Sequence, residues 1–90
     1  MSINWRKIET ITKGVASHRR LEILEIVNKK PELSVEEISE AIKTNFANAS
    51  GHINRLVIGG LIMKRHDGNF VRHKLTDRGV TFLKFLKTIE

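Results

Sequence analysis

Between Leu33 and Gly60 the chain carries two helix starts, each with its own cap and only a few residues apart, and no other stretch restricts its fold so tightly. In Leu33-Ser34-Val35-Glu36-Glu37-Ile38, the Ser34 hydroxyl can accept from the amide three residues on while Glu37 reaches back. That reciprocal pair is a capping box, and Leu33 and Ile38 stand where a hydrophobic staple would close around it. Ile38, Ala41 and Ile42 continue the buried stripe of this helix. After Lys43-Thr44-Asn45 a second helix is expected, with Asn45 as its N-cap and Phe46, Ala49, Ile53, Leu56 and Val57 on its inner face. Gly59-Gly60 stops it. Two helices joined by about three residues have helix-turn-helix geometry, in which the second is presented to a groove.

The flanking segments complete the pattern. Ser2 to about Lys13 reads as a helix with Trp5, Ile8 and Ile11 on one stripe, ended by Gly14. Ser17 caps a central helix carrying Leu21, Ile23, Leu24, Ile26 and Val27, which Pro31 breaks. Leu61 to His66 and Asn69 to Leu75 read as strands joined by Asp67-Gly68. Thr76-Asp77 opens a final helix. The expected fold is α+β and mostly helical: one domain over residues 1–90, with a helix-turn-helix over about 34–59, a two-stranded wing over about 61–75 and a C-terminal helix over about 76–89.

Composition narrows the function. The absence of cysteine removes disulfides, zinc-thiolate sites and thiol nucleophiles. The four histidines do not compensate, because only His66 and His73 are placed to meet across the hairpin and no pair has i, i+4 spacing. No metal and no cofactor is expected. Neither a phosphate loop nor a nucleophile motif is present, and the chain reads as a protein without enzymatic activity. The charged N-terminus lacks the apolar run of a signal peptide or membrane span, so a cytoplasmic location without membrane contact is expected. Of the formal charge of +6, residues 46–75 hold +5 against −1, whereas residues 17–45 hold +5 against −6. A basic segment beside a neutral one suits a polyanion partner.

Rotating the second helix by 100° per residue from its inner face puts Ala47, Asn48, Gly51, Asn54, Arg55 and Ile58 on the opposite face, and Ser50 is counted with the recognition-helix candidates. Asparagine pairs bidentately with adenine and arginine with guanine, and glycine allows close approach. In the wing, Arg65, His66, Asn69 and Arg72 are candidates for phosphate or minor-groove contact. The last helix carries two apolar stripes, Val80, Leu83 and Leu86, and Phe82, Phe85, Leu86 and Ile89. One covers the core. The other, with Trp5 and Ile8, is expected to form a homodimer interface.

This order of elements resembles the winged-helix repressors of the ArsR and MarR kind. Arg20-Leu21-Glu22-Ile23-Leu24 is similar to the family's Arg-Leu-x-Ile-Leu, and Ser50-Gly51-His52-Ile53-Asn54-Arg55-Leu56 followed by Gly60-Leu61-Ile62 to its recognition-helix pattern. Gly68 to Thr76 looks like the family's wing, and Thr76-Asp77-Arg78-Gly79 like the MarR exit. Two departures stand out: the metal-sensing cysteine pair is absent, and Lys43 replaces the usual glycine between the paired helices, leaving Asn45 as the residue suited to a left-handed turn. The resemblance implies a sequence-specific regulator of transcription that binds double-stranded DNA as a homodimer and represses by occlusion. The alternatives are a winged-helix protein-interaction module and an architectural DNA-binding protein with little sequence preference.

Overall fold

A computed structural model describes residues 2–90. Helix α1 (Trp5–Val15) starts at Asn4, whose side chain accepts from the Lys7 amide at 3.1 Å. Gly14 does not end it. The residue is buried inside the last turn, where an added Cβ would lie 3.0 Å from the Arg55 carbonyl oxygen and 3.6 Å from the Gly59 Cα. The glycine that reads as a terminator thus lets α1 and the fourth helix touch backbone to backbone. Helix α2 (His18–Lys29), capped by Ser17, buries Ile23, Leu24 and Val27 and is central as expected.

Beyond Pro31, Glu32 takes a left-handed conformation (φ 74°) that carries Leu33 alongside the later strand. Helix α3 (Val35–Ala41) opens on the expected capping box, with the Glu37 amide donating to Ser34 Oγ at 3.2 Å and the Ser34 amide to Glu37 Oε1 at 3.0 Å. Its buried stripe is Ile38, Ser39 and Ile42 rather than Ile38, Ala41 and Ile42. Ser39 can be buried because its hydroxyl donates to the Glu36 carbonyl at 2.7 Å. Ala41 is left on the rim of a groove with Ile26 and Leu33.

The reversal into the next helix falls on Lys43 (φ 57°), not on Asn45. The Thr44 amide donates to the Ser39 carbonyl and the Lys43 amide to the Glu40 carbonyl, which is a Schellman closure with Lys43 in the position usually held by glycine. Asn45 cannot supply that turn because it is extended (φ −83°, ψ 166°), accepting at 2.7 Å from the Asn48 amide as the N-cap of α4 (Phe46–Ile58). Helix α4 buries Ala49, Ile53 and Leu56. Phe46, expected inside, is exposed, because the first turn overhangs the core toward the wing and places it near Val35 and Phe70. A second Schellman closure, with Gly60 at φ 75°, ends α4.

Strands β1 (Ile62–Asp67) and β2 (Phe70–Leu75) pair antiparallel, from Ile62 opposite Leu75 to Asp67 opposite Phe70. The loop is therefore Gly68-Asn69 and not Asp67-Gly68. Positive φ at its first residue only (Gly68, φ 62°) is the type II′ arrangement, which matches strand twist and demands glycine first. A bridge from Leu33 to His73 ties β2 to the start of α3. Helix α5 (Asp77–Thr88) is capped by Thr76, which accepts from the Gly79 amide and donates to the Gly60 carbonyl. Its Leu83 closes a core in which Ile23, Leu24, Ile38, Ile53, Leu56, Leu61 and Ile62 are essentially without solvent contact. Each such side chain is worth about 1.5–3 kcal/mol of transfer free energy, which fixes the orientation of α4 and the base of the wing.

Candidate nucleic-acid interface

Burial of Ala49, Ile53 and Leu56 against α2 and α3 turns the opposite face of α4 to solvent. Ala47, Asn48, Gly51, Asn54 and Arg55 are exposed there, and Ser50 is half-buried on the shoulder. No atom lies within 4 Å of the place a Gly51 Cβ would occupy. A glycine inside a helix costs about 1 kcal/mol relative to alanine, and nothing in the chain itself requires one at this position. Asn54 Oδ1 accepts from Lys64 Nζ at 3.1 Å, linking this face to the wing.

The four wing candidates separate. His66 and Asn69 are exposed, His66 opposite Val71 on β1 and Asn69 in the loop. Arg65 and Arg72 face each other across the strands but are committed within the protein. Arg65 donates from Nε and Nη2 to Glu32 Oε2 at 3.3 and 3.1 Å. Arg72 donates to Asp67 Oδ2 at 3.0 Å and to the Glu32 carbonyl at 3.2 Å, and its guanidinium lies 5.6 Å from the centre of the Phe70 ring. The left-handed turn at Glu32 thus delivers a carboxylate that composition alone would assign to a solvated helix.

His73 is sealed in the interior, with Nδ1 2.8 Å from the Leu33 carbonyl oxygen and Nε2 without a hydrogen-bond partner. Burial, aided by Lys64 opposite and resisted by the Leu33 carbonyl, holds its pKa below the usual histidine value. It is thus not free to join His66 in ligating a metal. Among the described residues no cluster of three or more His, Asp or Glu side chains is placed to hold a metal ion.

On the other side of α4 lies a feature absent from the sequence-derived site. Arg20 of α2 donates from Nε to His52 Nδ1 at 3.2 Å and from Nη1 to the Lys13 carbonyl at 2.9 Å, joining α1, α2 and α4. Because a guanidinium only donates, His52 Nδ1 must be the bare nitrogen and its proton sits on Nε2. Partial burial, with Arg20, Arg19 and His18 nearby, keeps the His52 pKa below its usual value. Arg20 belongs to a segment whose charges nearly balance, but none of the glutamates that balance it pairs with Arg20. Glu22 pairs with His18 and Arg19, Glu25 with Lys29 and Glu32 with Arg65.

Of the residues expected at a dimer interface, Trp5, Ile8, Phe85 and Ile89 are exposed, by 69%, 42%, 56% and 65%. Ile3, at 58%, is a further exposed apolar side chain near the start of α1. Phe82 and Leu86 are half-buried, because Phe82 packs on the domain's own core and Leu86 turns toward Leu21. Ile8, Ile11, Phe82 and Phe85 line an apolar recess of about 410 Å³ between α1 and α5.

A helix-turn-helix closed by a basic hairpin and flanked by α1 and α5 recurs in solved structures. The homodimeric winged helix-turn-helix DNA-binding domain of Mb0332 from Mycobacterium bovis, described as a possible ArsR-family regulator, superposes with a TM-score of 0.85 at 26% identity, over 94% of this chain and 79% of that one. HlyU from Vibrio cholerae gives 0.82 at 28% identity, over 99% of this chain and 97% of that one. This is the winged-helix fold of transcriptional regulators. FabT of Streptococcus pneumoniae, solved in complex with DNA, shares the fold at a TM-score of 0.73 and 15% identity, over 94% of this chain and 66% of that one. The ArsR and MarR likeness drawn from the sequence is thus matched in three dimensions, and these winged-helix neighbours are regulator domains, not enzymes. No family model and no curated protein matches the chain. Among the described residues no helix is long and apolar enough to cross a membrane.

Proposed function

We propose that the protein is a sequence-specific, double-stranded-DNA-binding transcriptional regulator that acts as a homodimer and represses by occupying its operator. The observation that carries this reading is the outer face of α4: Asn48, Asn54 and Arg55 stand exposed around a helical glycine that the protein's own packing does not require. Asn48 and Asn54 suit adenine and Arg55 suits guanine, while Gly51 brings the helix axis close to the base edges. His66 and Asn69 at the end of the wing reach the flanking backbone. Pairing through Trp5, Ile8, Phe85 and Ile89 would place two α4 helices in successive major grooves about 34 Å apart. The DNA complex of FabT and the homodimer of Mb0332 support both parts. Occlusion asks nothing of the domain beyond binding.

Selection of bound duplexes from a random pool tests the proposal. Enrichment of a two-fold symmetric site is expected, and Arg55→Ala should weaken that site by about 1–3 kcal/mol while relaxing its sequence. A pool that emerges unenriched refutes sequence specificity, and retention of protein partners in place of duplex would favour an interaction module.

A further inference from the structure

The two arginines of the wing are already ion-paired within the protein, Arg65 with Glu32 and Arg72 with Asp67. Two guanidinium groups without an acidic partner, those of Arg20 and Arg55, meet on the α1 side of the recognition helix. There α1, α2 and α4 enclose an open recess of about 470 Å³ lined by Lys13, Gly14, Arg20, Arg55 and Ile58, with Glu9 and Thr10 at its edge. Three cations line it, and no ion pair joins Glu9 to any of them. Arg55 and Ile58 also belong to the outer face of α4, so the recess opens beside the surface offered to a groove.

We propose that this recess is a phosphate-binding site with Arg20 as its anchor, and that on the reading given above its phosphate is one of the duplex backbone. Arg20 is prepared for the task. Its Nε and Nη1 are held by His52 Nδ1 and the Lys13 carbonyl, which fix the plane of the guanidinium, and Nη2 keeps both N–H donors without a partner. A guanidinium so held loses little rotamer freedom on meeting a phosphate, whereas Arg65 would first have to leave Glu32. His52 is a positioning residue. As the acceptor for Nε it orients Arg20, and its own Nε2–H is directed away from that bond. The charged and titratable groups around His52 are His18, Arg19 and Arg20 from α2, with Lys13 of α1 joined through Arg20 and Arg55 of α4 reached across the recess that Arg20 lines. No carboxylate is ion-paired with Arg20, and Glu9 at the edge of the recess is the one acid lining it.

The test follows the Arg20 guanidinium Nε–H resonance of the full chain during titration with duplex and, separately, with inorganic phosphate. It adds salt-dependent duplex affinities for wild type, Arg20→Gln, Arg20→Lys and Arg65→Gln. Duplex should shift the Arg20 resonance. Arg20→Gln should lower affinity on the order of ten-fold for all sequences, the usual weight of one charge-assisted hydrogen bond. It should also make the slope of log affinity against log salt shallower by about 0.9 per protomer, and Arg20→Lys should restore most of that slope. Arg65→Gln, by contrast, should leave the slope nearly unchanged. Duplex binding with an unmoved Arg20 resonance and an unaltered Arg20→Gln slope overturns the site while leaving the DNA-binding reading intact. Should wild type bind no duplex, that reading fails, and phosphate alone decides the recess: a shift keeps it as a site for a smaller phosphorylated ligand, and no shift removes it. The wild-type resonance decides the matter even where a variant fails to fold.

Discussion

Gly51→Ala separates what α4 needs in order to fold from what it needs in order to bind. Position 51 is in the middle of α4, and a Cβ built there meets no atom within 4 Å. The methyl therefore brings no clash and buries nothing, leaving the intrinsic difference between glycine and alanine in a helix interior, about 1 kcal/mol in favour of alanine. For a domain of this size that corresponds to a rise in Tm of roughly 4–8 °C. Binding should move the other way. If the helix approaches base edges or backbone through Gly51, the methyl separates the surfaces and an affinity loss of ten-fold or more, about 1.4 kcal/mol, is expected. Thermal melts followed by circular dichroism and anisotropy titrations with a selected duplex read the two effects independently. Gly79→Ala supplies the contrast, since a Cβ there would collide with the Leu61 carbonyl and must destabilise. A Gly51→Ala protein that is more stable and binds its duplex as tightly as wild type would refute close approach at this residue. One that is less stable would refute the reading of its surroundings.

Two further outcomes follow from the interior and from the chain ends. Because the folded-state pKa of His73 is lowered by burial, the unfolded chain binds more protons, so its contribution to stability is complete above about pH 6.5 and is lost as pH falls toward the folded-state value. Urea titrations from pH 8 to 5 should show that decline, less steep in His73→Gln, and a pH-independent wild type would contradict it. Phe85→Glu should convert a micromolar dimer into monomer by sedimentation with loss of duplex affinity, because it places a charge at the exposed apolar recess that Phe85 shares with Ile8 and Ile11. A wild type that sediments as monomer and still binds its site tightly removes the interface.

Local chemistry was legible in the sequence wherever its partners were local too. The capping box is complete within four residues, and Ser17, Asn45 and Thr76 each cap the helix that follows. Residues with distant partners were misread. Gly14 reads as a stop until α4 is known to cross it, and Phe46 fits the inner stripe until the first turn of α4 is seen to overhang the core. Lys43 stands where the family pattern has glycine, but the need for positive φ there arises from the closing hydrogen bonds of α3, and Asn45 is engaged as a cap. A left-handed lysine costs about 1–2 kcal/mol, a local preference that the two closing bonds and the docking of α3 on α4 override.

Charge shows the same dependence on distance. The excess of +4 in residues 46–75 pointed to this region, but Arg65 and Arg72 within it are held by Glu32 and Asp67. Glu32 comes from the segment whose charges balance, and Arg20, which has no acidic partner, comes from that same segment. The pairing therefore leaves Lys64 and Lys74 as the unpaired cations of the wing and puts the unpaired guanidinium groups of Arg20 and Arg55 on the α1 and α2 side of the recognition helix, without changing any segment total. Exposed ion pairs of this kind contribute only about 0–1 kcal/mol to stability, so Glu32 and Asp67 matter less for holding the fold than for deciding which arginines remain available to a polyanion. Replacing Glu32 with Gln should release Arg65 and make the salt dependence of duplex binding steeper, at little cost in Tm. An unchanged slope would mean that phosphate already displaces Glu32 in the complex, and that the wing is used after all.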